Sequence, residues 1–153
     1  MLNDYVSKEF TMKNVIITVR GIQITADEPA ADMELVTEGK YTFDNGTGYF
    51  VYEETEITGM EGTTTRFDFS PGEAVITRDG TVQSKMVFVE GKHNVFLYNT
   101  PWGSMMMDID THSIKNELTA QGGSIDIDYT LGFDRAPLSR NRFSVKIKEQ
   151  VVL

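Results

Sequence analysis

Two pairs of aspartates, two histidines and a scatter of aromatic and methionine side chains are the residues whose types could do chemistry in this chain. Asp108 and Asp110, and likewise Asp126 and Asp128, are spaced by two, so in extended chain each pair shares one face. Paired carboxylates could hold a divalent cation, but hard cations need several oxygens converging on one point, usually from a loop. Lys146 and Lys148 repeat the same spacing and account for Asp128 and Asp126 as charge partners on a neighbouring strand, so no metal site is expected. His93 and His112 stand at strand ends in different hairpins, with no nucleophile beside either in sequence. There is no His-x-His or His-x-x-x-His pair, no glycine-rich loop opening a helix and no nucleophile elbow. Without cysteine, thiolate metal sites and Cys nucleophiles are excluded. No catalytic residue and no cofactor is expected, and the chain does not read as an enzyme.

The aromatic and methionine residues suggest binding instead. Tyr41, Phe50, Tyr52, Tyr98, Met105, Met107 and Tyr129 could line an interior pocket. Rings supply apolar walls with polar tips, and methionines adapt to a ligand's shape. The same residues are ordinary core material and could simply fill the interior. Trp102, beside Pro101 in a turn near one rim, could be a ligand lid, an interface anchor or a ring folded over the barrel end. Met106 points opposite to its neighbours, so its strand is either covered on both sides or exposes a contact point.

These residues must be positioned by strands. From His112 to Glu149 the apolar residues Ile114, Leu118, Ile125, Ile127, Tyr129, Leu131, Phe143, Val145 and Ile147 recur with a period of two. Gly122-Gly123 suits a primed hairpin turn, which would place Leu118 opposite Ile127 and Ile114 opposite Leu131. A following hairpin that pairs Phe133 with Asn141 would set Asp128 beside Lys146 and Asp126 beside Lys148. Earlier, Val15, Ile17 and Val19 share a face, and a parity switch after Gly21 predicts a bulge or bend. Asn45-Gly46 is a strong hairpin signal that sets Tyr41 opposite Phe50 and Gly39 opposite Tyr52, with room beside a ring. Asp79-Gly80 predicts another hairpin, which needs a bulged turn, and Thr100-Pro101-Trp102-Gly103 a further turn.

Turn signals every 8–12 residues without a convincing long helix predict an all-β fold: one antiparallel up-and-down β-barrel of about eight to ten strands. Short connections favour a meander, and a long meander must close or expose its edges. Residues 1–14 read as a tail or a short capping helix, and 15–150 as the barrel.

With 153 residues and no cysteine, the chain suits one domain in a reducing compartment, and no secretory signal or membrane-spanning run is evident. A cytoplasmic protein is expected. A net charge of −9 opposes nonspecific binding to nucleic acid or anionic membranes.

The segment Tyr98 to Ser104, then Thr111, Gly122-Gly123 and Tyr129-Thr130-Leu131 resembles the YwiB-like family of uncharacterised bacterial proteins. Tyr52-Glu53-Glu54-Thr55 and Arg78-Asp79-Gly80 fit the same pattern, so the resemblance covers nearly the whole chain. It implies a calycin-type, lipocalin-like barrel in a bacterial cytoplasmic protein and brings no established activity. The Gly-x-Trp signature of true lipocalins is absent from the first strand. By analogy of fold, the expected function is a non-catalytic binding module holding a small apolar or amphipathic ligand in the barrel. The alternative is a protein-interaction or structural barrel with a filled core.

Overall fold

Alternation of apolar and polar residues becomes ten antiparallel strands in the computed structural model, which describes residues 12–151. They are β1 (Lys13–Ile24), β2 (Ala31–Asp44), β3 (Thr47–Glu53), β4 (Thr64–Ser70), β5 (Glu73–Asp79), β6 (Ser84–Val89), β7 (His93–Thr100), β8 (Gly103–Asn116), β9 (Gly122–Phe133) and β10 (Ala136–Glu149). A short 3-10 turn, Glu56–Thr58, lies between β3 and β4. The expectation of a tail or capping helix falls mostly on residues outside those described, and Lys13 and Asn14 already belong to β1.

Each strand pairs with its chain neighbour except across the β6–β7 junction, and β10 returns to pair with β1, giving the order β6-β5-β4-β3-β2-β1-β10-β9-β8-β7. The two ends of this sheet meet at one bridge, Gln83 with Asn99, so the barrel is nearly closed. The all-β up-and-down barrel expected from the sequence is therefore the fold. Inward-facing Val15, Ile17, Val19, Ile125, Ile127 and Val145 are buried on the β1–β10–β9 wall. On the facing wall Phe50 stacks on Phe67 at 4.6 Å, and Phe67 on Phe143 at 6.1 Å. Burying such rings supplies most of the driving force for closure.

Several local expectations are corrected. Gly122 and Gly123 are not the hairpin turn. The turn is Ala120-Gln121, with Thr119 bridged to Gly122, and it is held by the Thr119 hydroxyl donating to the Gly122 carbonyl at 2.9 Å. Ile114 consequently faces Ile127, and Ile109 faces Leu131. The glycines serve close approach instead: a Cβ on Gly122 would lie 2.4 Å from the Ile147 carbonyl oxygen.

The last hairpin turns at Asp134-Arg135, both with positive φ, which suits a two-residue primed turn. Asp128 thus lies opposite Arg142, and Asp126 opposite Ser144, not beside Lys146 and Lys148. The Asp108 carboxylate helps fix this turn by accepting the Arg135 amide at 2.8 Å.

Gly21 causes no bulge, because pairing runs unbroken past it on both sides. The Gly39 space holds Ile17, whose Cδ1 would be 2.4 Å from an added Cβ. The Asn45-Gly46 hairpin does set Tyr41 opposite Phe50, and a longer β5–β6 connection sets Ile76 opposite Met86. A register shift at His112 lets Met107 and Ile109 point inward before it and Ile114 after it within one long strand, β8.

Candidate functional site

A polar patch faces inward among the barrel's rings. On β5, Ala74, Ile76 and Arg78 share a face, so the period of two that buries the first two also sends the arginine inside. Register then aligns Tyr52 on β3, Thr65 on β4, Arg78 on β5 and Ser84 on β6 in one row. Glu54 follows Tyr52 on the same face, and its carboxyl accepts the Thr65 hydroxyl at 2.8 Å.

Arg78 reaches along the interior, its Nη1 3.5 Å from the Met86 sulfur. Its charge is felt at Tyr129 on β9. Tyr129 lies opposite Thr111 on β8 and packs edge-on against Phe88 at 5.0 Å. Burial is the main cause that pushes the Tyr129 hydroxyl above the ordinary tyrosine range, with Arg78 pulling the other way. The Tyr52 hydroxyl is also pushed up, first by burial and then by the Glu54 charge.

Side chains lose about 1–3 kcal/mol when a buried polar atom lacks a partner, so such atoms are rare. Among the described residues, the buried side-chain polar atoms with no hydrogen-bond partner are Glu54 Oε2, Arg78 Nε, Ser84 Oγ and Thr111 Oγ1. Glu54, Ser84 and Thr111 are only 6%, 7% and 3% exposed. The first three lie in or beside the Tyr52–Thr65–Arg78–Ser84 row, whereas Thr111 stands opposite Tyr129 on β8, level with Gly91 and Lys92.

The sequence-selected binding residues divide. Phe50, Tyr52 and Met107 are buried in the core, with Tyr98 and Tyr129 packed against it. Tyr41 is buried too, but its hydroxyl is committed to the Thr119 carbonyl at 2.6 Å beside the β8–β9 turn. Trp102 is 95% exposed at the β7–β8 turn and does not fold over the barrel end. Met105 is 48% exposed, so it stands apart from the inner wall that Met107 joins. Sequence reasoning missed Glu54, Arg78, Ser84 and Thr111. The available signal was a charged residue at an inward parity, with Arg78 continuing the face of Ala74 and Ile76.

A concavity lies on the outer wall. A groove of about 470 Å³ is lined by His93, Asp108, Asp110, Thr130, Gly132, Arg135, Ala136 and Pro137. His93 sits between two carboxylates, with Nδ1 2.9 Å from Asp110 and Nε2 3.2 Å from Asp108. Each ring nitrogen thus faces a carboxylate oxygen. His112 Nε2 lies 2.6 Å from the Thr130 hydroxyl. Asp128, the carboxylate that could orient that ring, instead receives Arg140 through two bonds of 2.8 and 3.1 Å. Among the described residues, no cluster of three or more His, Asp or Glu side chains is arranged to hold a metal. Among the described residues, no helix is long and apolar enough to cross a membrane.

Residues 17–145 match the family described as Domain of unknown function (DUF1934). The fold is similar to the crystal structure of ywiB protein from Bacillus subtilis, with a TM-score of 0.81 and 20% identity over 92% of this chain and 94% of that one. At that identity the likeness concerns the fold alone. No curated protein matches the chain.

Proposed function

This chain belongs to the DUF1934 family, the YwiB-like group its motifs resemble, and we propose that it is a non-catalytic cytoplasmic binding module holding a small amphipathic molecule inside the barrel. The observation that carries this reading is the inward-facing row of Tyr52, Thr65, Arg78 and Ser84, where Glu54 Oε2, Arg78 Nε and Ser84 Oγ are buried without hydrogen-bond partners inside an otherwise apolar core. Apolar walls with a few convergent polar groups are the usual make-up of a ligand site. A ten-stranded barrel is also wider than the eight-stranded ones that hold one small ligand. His93 set between Asp108 and Asp110, and Asp128 engaged by Arg140, leave neither histidine a nucleophile and orienting carboxylate of its own, which supports a role without catalysis. The net charge of −9 opposes nucleic acid and anionic membrane as partners.

Native mass spectrometry of the protein purified from its own host tests the proposal. A bound small mass is expected, released on unfolding. Protein free of any small mass, and emerging instead with a protein partner, would overturn it. That second outcome fits the other reading, a protein-interaction barrel working through its outer wall. Leu97 and Met106 lie opposite each other there, with Val95 beside them and Trp102 at the nearby turn, all exposed.

A further inference from the structure

We infer that the outer face of the β7–β8 hairpin is where two copies of this chain meet, as a symmetric dimer centred on Leu97, Met106 and Trp102. The inference is independent of what the barrel holds. Asn94 to Met107 is a run of fourteen residues without Asp, Glu, Lys, Arg or His, in a chain that is 24% charged. Outward faces elsewhere carry ion pairs, such as Arg66 with Asp68 on β4 and Arg140 with Asp128 across β10 and β9. The alternation that buries Phe96 and Met107 turns Val95, Leu97 and Met106 outward, and register sets Leu97 directly opposite Met106. Trp102 stands at the hairpin tip, its backbone amide donating to the Thr100 hydroxyl at 3.2 Å while its ring lies in water. Val95 is 59% exposed, Leu97 45%, Met106 54% and Trp102 95%. At about 150–250 Å² per large side chain, these four leave roughly 500 Å² of apolar surface uncovered. Monomeric proteins rarely leave so large a contiguous patch without a use for it.

The size and the missing charge both point to a second copy. A stable interface takes about 800 Å² from each partner, and its centre is apolar and poor in charged residues. The four side chains supply more than half of that area. Asn99 and Ser104, opposite each other in the next row and joined by a hydrogen bond, add an uncharged rim. The bordering carboxylate, Asp108 opposite Val95, is already engaged by His93 and by the Arg135 amide. A charged partner would find no counter-charge on this face. Two copies, each at −9, repel wherever their acidic surfaces meet, so contact is confined to the stretch where neither carries charge. A two-fold axis across the strands brings the tip of each hairpin onto the body of the other, the same patch serving both copies. Each Trp102 ring then lies over Leu97 and Met106 of the other copy, and tryptophan is a favoured anchor of such contacts.

Trp102 is the one tryptophan of the chain, so its emission reports on this face alone. The test follows the chain by sedimentation velocity and tryptophan fluorescence over a dilution series. A dimer is expected at high concentration, with blue-shifted emission that changes to that of a water-exposed indole in step with dissociation. Leu97→Lys, which sets a charge in each half of the interface, should weaken association about tenfold or more. Val36→Lys, at a similarly exposed position on β2, should leave it unchanged. Should Leu97→Lys fail to fold, the wild-type emission still decides. A monomer throughout the series would overturn the inference. So would a dimer whose tryptophan stays water-exposed, because the contact would then lie on another face. A monomer with blue-shifted emission at every dilution would overturn it as well, since another part of the same chain would then cover the patch. Leu97→Lys associating as tightly as wild type would do the same.

Discussion

The Tyr41 hydroxyl shows what one buried group does for the barrel. It donates to the Thr119 carbonyl at 2.6 Å and so ties β2 to the β8–β9 turn across the barrel end. Burial pushes this hydroxyl above the ordinary tyrosine range, so it stays a donor at any ordinary pH. Tyr41→Phe leaves the carbonyl without that partner and is expected to cost about 1 kcal/mol, read from urea unfolding midpoints. An unchanged midpoint would show that the bond contributes nothing net. Asp128 behaves differently because it titrates. The Arg140 guanidinium beside it holds its carboxyl below the usual carboxylate range. A carboxyl lowered in the fold stabilises above the unfolded value of about 3.9, and that contribution disappears as pH falls through the folded value. Arg140→Gln should therefore be slightly less stable than wild type at pH 7, the loss kept small because Arg140 is exposed. The gap should close below about pH 4 in unfolding series at several pH values. A gap that stayed constant across the whole pH series would assign the effect to packing of the arginine stem.

Among the elements, β9 depends most on its first two residues. Gly122 has φ 118° and faces the Ile147 carbonyl oxygen, with 2.4 Å left for a Cβ. Gly91 also has positive φ, 75°, but an added Cβ there meets nothing within 4 Å. Gly91→Ala should cost about 1 kcal/mol, the strain of the left-handed backbone alone, whereas Gly122→Ala should cost roughly 2–4 kcal/mol because β10 must also give way. Equal losses in thermal unfolding would mean that β9 and β10 separate without cost. The same glycines explain where sequence reading succeeded and failed. Period two assigned Ile125, Ile127 and Phe143 inward, and they are buried. The true registers differ from the expected ones by four positions, after the His112 shift in β8 and from Ser139 onward in β10, an even number, so these faces survived the error. The register itself was illegible because Gly-Gly suits both a turn and a close approach. What decided between them was the Thr119 hydroxyl on Gly122 and the Asp108 carboxylate on Arg135, contacts made only after folding. The inner patch was half legible. Parity points Arg78 inward, but Glu54, Ser84, Thr111 and Tyr129 come from strands that meet only when the sheet curls.

At the scale of the whole molecule, closure is uneven. Nine junctions between strands carry ladders, while β6 and β7 share one bridge, Gln83 with Asn99. Side chains hold the rest of this seam: Met86, Phe88 and Phe96 are buried beside it. Apolar packing resists separation, but strand edges without a ladder open without breaking a row of hydrogen bonds. The seam should thus be the first place where the interior meets water. Seam-facing amides of β6 and β7 are expected to exchange with solvent faster than those of β1, β9 and β10, which are paired on both sides. Gln83 and Asn99 exchange both backbone bonds, at 3.0 and 2.9 Å. A pair of that kind sits about 5.5 Å apart at Cα, within reach of a disulfide. Gln83→Cys with Asn99→Cys, once oxidised, closes a loop of about 15 residues and should add about 3 kcal/mol to unfolding. It should also slow exchange along β6 and β7 more than along β10. If oxidation stabilised the fold while leaving seam exchange untouched, those amides would be opening by some other route, and the seam would not be the weak junction of the barrel.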